Sequence, residues 1–529
     1  MQGEAYIKMK QNQDAIAAYQ RAIKLDRQLP EAYTGMGNAY QAMDKIDQAA
    51  HAYNKALEIE PNYAPAYYQL GNLQQNLGRT YDALVAYQNA LERESNYAEP
   101  YIGAGTVYAS LGRSQDAITA YQHAVELDPR DTAAHINLGY LHITSGNFEE
   151  SRTEFEKALA ISPENVDALA GLGRIYIMLG QFSKSLSTYQ AALKIDPSSV
   201  DALIGIGDVH VQMSQYSEAQ NAYKHALKKA PEHGPAYLGL GRVLAESGKL
   251  DESLELFQRA IELSPKDAAA RSGLGDVFSR IGRVEEAISA YQRAIQLNPK
   301  YAPAYVGLGT IYRDLKRPFD SLSAFEKAVR LDGTSFAAYR GLGDINNDLG
   351  QREEAAQAYK NALRINPGDS DSYVGLGNVH RNAAEYEEAI AAYREAARLN
   401  SMNASAYAHL GDVYNTLGQS NEALSSYQKA VELNPNDALS RGSLAGLYRK
   451  LGRQNDYNEE IAIARQLIAE ESEYNRACLE SIAGNYDQAL TLLQIALERH
   501  QVQIEWVLQD PDLEGLRQDP GFQDLEGVS

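Results

Sequence analysis

The segment Ala304–Gly333 reads AYVGLGTIYRDLKRPFDSLSAFEKAVRLDG, and its order of small and aromatic residues recurs along most of the chain. Its glycine Gly309 belongs to a series of glycines spaced 34 residues apart without an insertion. The series is Gly37, Gly71, Gly105, Gly139, Gly173, Gly207, Gly241, Gly275, Gly309, Gly343, Gly377 and Gly411. A fixed period of this length indicates a repeat array. We number the positions of each repeat from its glycine in this series, which is offset 0.

Other residue types recur at fixed offsets. Offset +16 is Tyr or Phe and offset +19 is Ala in every repeat, offset +12 is Ala or Ser, offset +7 is mostly Gly, and offset +24 is mostly Pro. Offsets −4, −1, 0 and +3 share one face of a first helix, and +12, +16 and +19 share one face of a second. Glycine at +7 suits the turn between them, and proline at +24 ends the second helix. We predict an antiparallel helical hairpin in each repeat.

This order, W/Y-x₂-L-G-x₂-Y followed by A-x₃-F/Y-x₂-A and then P, resembles the tetratricopeptide repeat (TPR) family over nearly the whole chain. The resemblance implies an all-α fold, an α-solenoid of stacked 34-residue helix-turn-helix repeats forming a right-handed superhelix. It also implies that the first helices line a concave groove, and that peptides or protein partners bind there. Stacking is required because one hairpin cannot bury its own apolar face.

The two ends depart from the regular pattern. We expect a partial repeat with a truncated first helix in residues 1–30, twelve regular repeats in 31–437, a degenerate repeat in 438–470, a terminal repeat in 471–500 and a capping tail in 501–529. The start inside a helix suggests a fragment of something longer. The tail resembles the closing segment of bacterial TPR proteins, and its apolar residues should cover the end of the stack: Trp506, Leu513, Leu516, Phe522 and Leu525.

Composition excludes several classes of protein. The 529 residues carry 49 Lys+Arg against 70 Asp+Glu, a net charge of −21, which disfavours nucleic acid and anionic membranes as partners. One cysteine cannot form an internal disulfide, and no apolar run has the length of a membrane helix. Without a signal-peptide pattern at the N-terminus, we expect a cytoplasmic protein.

No pattern indicates catalysis. The recurring GLG lacks the third glycine and the preceding strand of a nucleotide-binding loop. Histidines such as His135 and His142 occupy packing offsets without the spacing of metal ligands, and Cys478 should be a small buried residue. We therefore expect no enzyme activity, cofactor or metal.

Partner binding should depend on the first-helix offsets −6, −3, −2, +1, +4 and +5, which point into the groove of a TPR array. Offset −2 is glycine in nine repeats. These glycines either leave a bare groove floor that a ligand backbone approaches, or reflect a family bias toward a weak first helix that stacking stabilises. The chaperone-type carboxylate clamp is rejected, since only its asparagine position recurs here (Asn38, Asn72 and Asn378) and its lysines are missing.

Two sets of groove residues are candidate partner sites. The first, which we name the apolar strip, is Ile102, Ile136, Tyr140, Ile143, Ile177, Met178, Val211 and Leu238. The second, which we name the polar ladder, is Arg313, Asp314, Arg340, Asp344, Asn347, Asp348, Asn378, Arg381, Asn382, Asp412 and Asn415. Exposed apolar residues favour a protein surface as partner, unless the curvature of the stack buries them. The ladder suits an extended peptide backbone, or is an ordinary solvated face.

The favoured function is a non-enzymatic scaffold that binds protein or extended peptide. One alternative is the regulatory array of a larger enzyme, such as a kinase or an O-linked N-acetylglucosamine transferase-like glycosyltransferase. Another is a self-associating structural module, which forms homo-oligomers. The repeat of Gly309 should be the least stable, because Lys316 replaces the turn glycine at offset +7 and Gly333 replaces the proline at offset +24. We predict that this repeat, residues 304–335, opens first.

Overall fold

The computed structural model describes residues 2–499, 501–502, 504–508 and 510–523. Within these residues every regular element is a helix, as the repeat pattern predicts. The chain divides into two compact units, unit 1 (Met1–Pro265) and unit 2 (Lys266–Ser529).

Unit 1 contains eight consecutive helical hairpins. Its helices are α1 (Gln2–Lys8), α2 (Asn12–Leu25), α3 (Pro30–Gln41), α4 (Ile46–Ile59), α5 (Ala64–Asn76), α6 (Thr80–Arg93), α7 (Ala98–Ser110), α8 (Ser114–Leu127), α9 (Thr132–Thr144), α10 (Phe148–Ile161), α11 (Val166–Met178), α12 (Phe182–Ile195), α13 (Val200–Gln212), α14 (Tyr216–Lys229), α15 (Gly234–Glu246) and α16 (Leu250–Leu263).

Unit 2 continues the pattern with seven hairpins and a tail of short elements. Its helices are α17 (Ala268–Arg280), α18 (Val284–Leu297), α19 (Ala302–Asp314), α20 (Pro318–Leu331), α21 (Phe336–Asp348), α22 (Arg352–Ile365), α23 (Ser370–Asn382), α24 (Tyr386–Leu399), α25 (Ala404–Thr416), α26 (Ser420–Leu433), α27 (Ala438–Lys450), α28 (Gln454–Leu467), α29 (Glu473–Ile482), α30 (Tyr486–Glu498), α31 (Ile504–Val507) and α32 (Pro520–Gln523). Two 3₁₀ turns, Pro511–Leu513 and Leu516–Gln518, lie between α31 and α32.

The turn inside each hairpin depends on one left-handed residue. In the regular repeats the residue at offset +7 has a positive φ, and glycine is the usual residue because it adopts this conformation without strain. Lys10, Asp44, Ser214, Lys316 and Ala384 adopt it without being glycine, with φ between 56° and 60°. These five turns are therefore strained relative to their glycine counterparts.

In most repeats the aromatic residue at offset +16 is enclosed by two glycines. Tyr189 illustrates the arrangement: a Cβ atom on Gly173 of its own repeat would lie 2.8 Å from the Tyr189 ring, and one on Gly205 of the next repeat would lie 2.1 Å from it. Both distances are too short for a real contact. The aromatic ring therefore joins the two helices of one hairpin to the first helix of the next.

Serine at offset +12 adds a polar link inside four hairpins. The hydroxyl oxygens of Ser151, Ser185, Ser253 and Ser321 each donate to the carbonyl oxygen of the offset-0 glycine of the same repeat, at 2.7 Å. The four serines are fully buried. A buried hydroxyl is tolerated here because it has an acceptor.

Within each unit the first helices lie on the inner side of the stack. Successive first helices pack against one another, for example α9 with α11 and α11 with α13 in unit 1, or α19 with α21 in unit 2. Successive second helices in the described residues make no comparable contact. Each unit therefore has an inner face lined by first helices and an outer face lined by second helices.

The C-terminal tail packs on the last hairpin of unit 2. Val507, Leu513, Leu516 and Phe522 are buried against the cluster that includes Cys478 of α29. The expected capping contacts of Leu513, Leu516 and Phe522 are present, whereas the side chain of Trp506 and all of Leu525 lie outside the described residues. None of the helices in the described part of the chain has both the length and the apolar character needed to cross a bilayer.

Candidate partner-binding faces

The glycines at offset −2 do not form a bare groove floor. They are packing residues, because a Cβ atom on Gly35, Gly171 or Gly375 would lie 2.3 Å from the aromatic ring at offset +16 of the preceding repeat. Where offset −2 is His409, its ring lies beside the Tyr393 ring instead, with centroids 5.4 Å apart. The bare-floor interpretation is therefore wrong, since space for the neighbouring aromatic requires these glycines, whereas a family bias is compatible with this packing.

Offset +1 is also tied to packing. In eight repeats the hydroxyl of the offset +16 tyrosine shares a hydrogen bond of 2.5 to 3.0 Å with the side chain at offset +1. The pairs are Tyr53 with Asn38, Tyr87 with Asn72, Tyr121 with Thr106, Tyr223 with Asp208, Tyr291 with Asp276, Tyr359 with Asp344, Tyr393 with Asn378 and Tyr427 with Asp412. The asparagines that match the clamp position thus hold buried tyrosines.

The sequence contains a signal for this pairing. Where offset +16 is Phe155, Phe257 or Phe325, there is no hydroxyl to satisfy, and offset +1 is Tyr140, Arg242 or Thr310 instead of Asn or Asp. The match between the two offsets is incomplete, since offset +1 is Thr106 beside Tyr121 and Arg174 beside Tyr189. The expectation that offset +1 is free of packing constraints is therefore wrong for the eight repeats in which its side chain bonds the tyrosine hydroxyl.

The apolar strip lies along the inner face of unit 1. Most of its side chains are half-buried, Met178 is 42% exposed, and Ile143 is only 7% exposed. Ile143 therefore belongs to the core around Phe155 and cannot contact a partner freely. The remaining strip residues keep an accessible edge, because neighbouring first helices cover only part of each side chain.

Tyr140 links two repeats within the strip. Its ring packs edge-to-face on Phe155 with centroids 5.0 Å apart, and its hydroxyl donates to the carbonyl oxygen of Asp167 in the next repeat at 3.2 Å. Ile136 lies in the same cluster. This part of the strip both stabilises the stack and presents apolar surface to the inner face.

The arginines of the polar ladder in unit 2 are paired with carboxylates of the next repeat. The Arg313 guanidinium donates to the Asp344 carboxylate of the next repeat, and that carboxylate also accepts from the Tyr359 hydroxyl at 2.8 Å. Arg340 lies 3.4 Å from Asp369 and 3.5 Å from Asp371, nitrogen to oxygen. These charges therefore bridge successive repeats.

The same arrangement recurs one step further along the ladder. Arg381 donates to Asp412 at 3.1 Å and lies 3.2 Å from the His409 ring, while Tyr427 donates to the other Asp412 oxygen at 2.9 Å. Asn415 accepts a hydrogen bond from Lys450 at 3.4 Å.

Four ladder residues remain available to solvent. Asp314, Asp348 and Asn382 are exposed and Asn347 is half-buried. Within the described residues, neither asparagine side chain makes a hydrogen bond. Local burial raises the pKa of the Asp348 carboxyl, the Arg313 charge lowers it, and the net shift is upward.

The pKa values of two aspartates at offset +1, Asp208 and Asp412, are shifted in opposite directions. In unit 1, burial raises the pKa of Asp208, because protein atoms surround most of its carboxylate although one side meets water. In unit 2, burial alone would also raise the pKa of Asp412, but the hydrogen bond and charge of His409, with Arg381 and Tyr427, hold it below its usual value.

In the described part of the chain, the buried His135 and Cys478 side chains are each held by a neighbouring carboxylate. His135 Nδ1 lies 2.6 Å from Glu154, and the His135 ring is buried. Cys478 is 4% exposed, in agreement with the expectation from the sequence. Its sulfur and the carboxylates of Asp510 and Asp512 lie within 4.8 Å of one another, as metal ligands would.

That cluster is already organised by hydrogen bonds. The Tyr474 hydroxyl donates to Asp510, which also accepts the Asp512 backbone N–H at 2.9 Å. Burial raises the pKa of the Cys478 thiol and raises that of Asp512 to about 7. Because metal ligands must lose their protons, these shifts work against metal binding here.

Family comparisons agree with this architecture. A family model described as the cilia and flagella-associated protein 70 C-terminal domain matches residues 29–236 and 266–479. Models described as tetratricopeptide repeat and TPR repeat match residues 210–277 and 3–44. A search of curated proteins found no match.

One of two similar solved structures shares the fold, at low sequence identity. A chain in the crystal structure of the APC/C hetero-tetramer Cut9-Hcn1 is 18% identical, with a TM-score of 0.64 over 94% of this chain and 95% of that chain. A tetratricopeptide repeat protein from Parabacteroides merdae is 22% identical, with a TM-score of 0.39 over 47% of this chain and 98% of that chain. The repeats, the helical hairpins and the family matches over most of its length show that the chain belongs to the tetratricopeptide repeat family.

Proposed function

We propose that the chain is a non-enzymatic interaction scaffold, and that the inner face of unit 1 binds an extended segment of a protein partner. TPR proteins are in general interaction scaffolds, which supports the first part. The observation that carries the second part is the accessible edge of the apolar strip, which includes Met178 at 42% exposure. Apolar side chains grouped on an accessible face favour association with a partner.

The polar ladder has a different role in this proposal. Its arginines are paired with carboxylates of the next repeat. A ligand at Arg313 or Arg381 would have to break an existing ion pair, and so gain little net free energy. We infer that the ladder mainly stabilises the stack of unit 2.

Selection of peptides on the full-length chain tests the proposal. Random 12-residue peptides displayed on phage are selected on the immobilised protein, and the enriched sequences are synthesised with a fluorophore. Their affinity is measured by fluorescence anisotropy for the wild type and for an Ile177→Asp, Met178→Asp variant. The matched control is Asn347→Asp, Asn382→Asp, which places the same two charges on the inner face of unit 2.

We expect the strip variant to weaken binding about 100-fold, because each buried charge costs several kcal/mol, and the control to change it less than about twofold. Circular dichroism and gel filtration verify that both variants fold. Met178→Asp alone repeats the test at an exposed position. Equal losses in both variants, or a loss in the control alone, would contradict a unit 1 site.

A further inference from the structure

One repeat breaks the pairing between offsets +16 and +1. Tyr189 is the remaining tyrosine at offset +16, but its offset +1 residue is Arg174, a donor that cannot accept the hydroxyl proton. Within the described residues the Tyr189 hydroxyl has no hydrogen-bond partner, although its ring is held between Gly173 and Gly205 like the others. The Tyr189 hydroxyl oxygen is not completely enclosed by protein atoms and keeps some contact with solvent.

Arg174 is likewise without a hydrogen bond or ion pair to any described residue. It is exposed on the inner face of unit 1. Helical spacing places it beside Ile177 and Met178 on α11, three and four residues further along. An unpaired guanidinium therefore stands in the middle of the apolar strip.

The groups around Arg174 are already engaged. Asp208, at offset +1 of the next repeat, accepts the Tyr223 hydroxyl at 2.5 Å and lies within range of the charges of both Arg242 and Arg174. On the other side, Tyr140 has its hydroxyl on the Asp167 carbonyl. Arg174 and the Tyr189 hydroxyl are thus two hydrogen-bond donors without an acceptor among the described residues.

Their proximity has an electrostatic signature. Burial raises the pKa of the Tyr189 phenol, the Asp208 charge adds to this rise, and the Arg174 charge opposes it. The geometric support is independent of this charge: in eight other repeats the side chain at offset +1 contacts the hydroxyl at offset +16, so Arg174 begins from the position that makes this contact.

We propose that Arg174 and the Tyr189 hydroxyl together bind an aspartate or glutamate carboxylate of the partner segment, with apolar partner side chains on either side of it contacting the strip. This inference rests on the proposed function, since it specifies the chemistry recognised at that face. A carboxylate satisfies both donors, and charge-assisted hydrogen bonds are the strong ones. The partner motif is an acidic residue flanked by apolar residues.

A carboxylate fits this site better than a phosphate. Only one unpaired guanidinium is present at this point of the described inner face, and the Asp208 carboxylate is close to it. The chain also carries a net charge of −21. A dianion would meet more repulsion from both than a singly charged carboxylate does.

The test uses the peptides selected on the full-length chain. Each enriched peptide is synthesised with its acidic residue as Glu, as Gln and as phosphoserine. Affinities are measured for wild type, Arg174→Asn and Tyr189→Phe, with Arg130→Asn as a control for the loss of an exposed positive charge outside the strip. Folding is safe in both site variants, because Asn occupies offset +1 and Phe offset +16 in other repeats.

We expect enriched peptides to contain the motif, and Arg174→Asn to weaken the Glu form about tenfold. Tyr189→Phe should weaken it about threefold, and Arg130→Asn less than about twofold. The Gln form should bind the wild type about tenfold more weakly than the Glu form and be insensitive to Arg174→Asn. Rising salt should weaken only the Glu form.

The outcomes separate the two proposals. Peptides that lose binding with Ile177→Asp, Met178→Asp but bind Arg174→Asn as well as wild type would overturn the carboxylate site and leave the unit 1 face standing. Tighter binding of the phosphoserine form than the Glu form would also overturn it. If no selected peptide responds to the strip variant, both proposals fail.

Discussion

The inner faces of unit 1 and unit 2 are built on the same 34-residue grid but carry opposite chemistry. Unit 1 presents residues such as Ile136 and Ile177, whereas unit 2 presents Arg340 and Arg381 at the corresponding offsets. The packing offsets hardly differ, since both units have glycine at offset 0 and an aromatic residue at +16. Helix packing therefore constrains some offsets and leaves a small set of others free to diverge. Residues at these other offsets determine what each face can bind.

Charge density is a poor guide to a binding site in this comparison. The many charges of unit 2 are paired across repeats, as Arg313 with Asp344 shows. The strip of unit 1 has a single arginine at its centre, and that arginine is unpaired in the described structure. An interaction that is already satisfied contributes to stability, whereas an unsatisfied donor is available to a ligand.

The largest expected effect contrasts offset +1 in the two units. Asp344→Ala should lower the free energy of unfolding by about 2 kcal/mol, because it leaves Tyr359 and Arg313 without their acceptor. Arg174→Asn should leave stability unchanged or slightly raised, since it supplies an acceptor for Tyr189. Guanidinium unfolding followed by circular dichroism measures both changes. Equal destabilisation by the two substitutions would remove the distinction between the units.

A second prediction removes one hydroxyl from each unit. Tyr359→Phe should lower the free energy of unfolding by about 1 kcal/mol, because the hydrogen bond of Tyr359 to Asp344 is lost. Tyr189→Phe should change stability by less than about 0.5 kcal/mol, because its hydroxyl has no partner to lose in the described structure. Hydrogen exchange read by mass spectrometry locates any loss to its repeat. A cost at Tyr189 as large as that at Tyr359 would show that the Tyr189 hydroxyl is bonded.

Much of this architecture can be predicted from the sequence, because packing residues recur with the period. Spacing alone identifies glycine at offset 0, the aromatic at +16 and the turn at +7. The interpretation of the glycines at offset −2 is wrong because their contact, such as Gly205 with Tyr189, is to the preceding repeat. A pattern within one repeat does not reveal contacts between repeats.

The candidate site is less predictable for a related reason. The offsets of Ile143 and Met178 predict two groove residues, yet one is buried and the other exposed. Ile143 is buried because it packs in a cluster with Leu172 and Ile175 of the next repeat, and a position within one repeat does not specify that contact. The pairings of Arg313 and Arg381 likewise depend on side chains of the next repeat.

A third prediction concerns a feature that the two units share. Lys316 in unit 2 and Ser214 in unit 1 have positive φ, so replacing either with glycine should stabilise its hairpin by about 1 kcal/mol. Before substitution, residues 304–335 should show the fastest hydrogen exchange of the regular repeats in unit 2. Lys316→Gly should slow that exchange, with Gly350→Ala as the reverse control. Unchanged exchange after Lys316→Gly would contradict a strained turn as the cause.

The smallest expected effect is a difference between the two units in how their stability changes as pH falls. The folded-state pKa of Asp412 is lowered, so its contribution to stability is present above its unfolded value of about 3.8 and is lost as pH falls through the folded value. Asp208 has a raised pKa, so the folded state binds its proton more readily and unit 1 gains stability as pH falls through that raised value toward about 3.8.

Hydrogen exchange at a series of pH values, corrected for its intrinsic pH dependence, measures this divergence. As pH falls toward about 3.8 the repeat that holds Asp208 should gain protection, and below about 3.8 the repeat that holds Asp412 should lose it. Asp412→Asn and Asp208→Asn should each abolish the pH dependence of its own repeat. A parallel loss in both repeats would contradict the opposite shifts.

The aromatic residue held between two glycines also governs how such a chain can change its length. Tyr223 lies against Gly207 of its own repeat and Gly239 of the next. Deletion of residues 174–207 would place the same tyrosine between Gly173 and Gly239, and so recreate the junction that was removed. Gene duplication or loss in steps of one whole period therefore inherits a working junction, whereas an insertion of any other length has to evolve a new one.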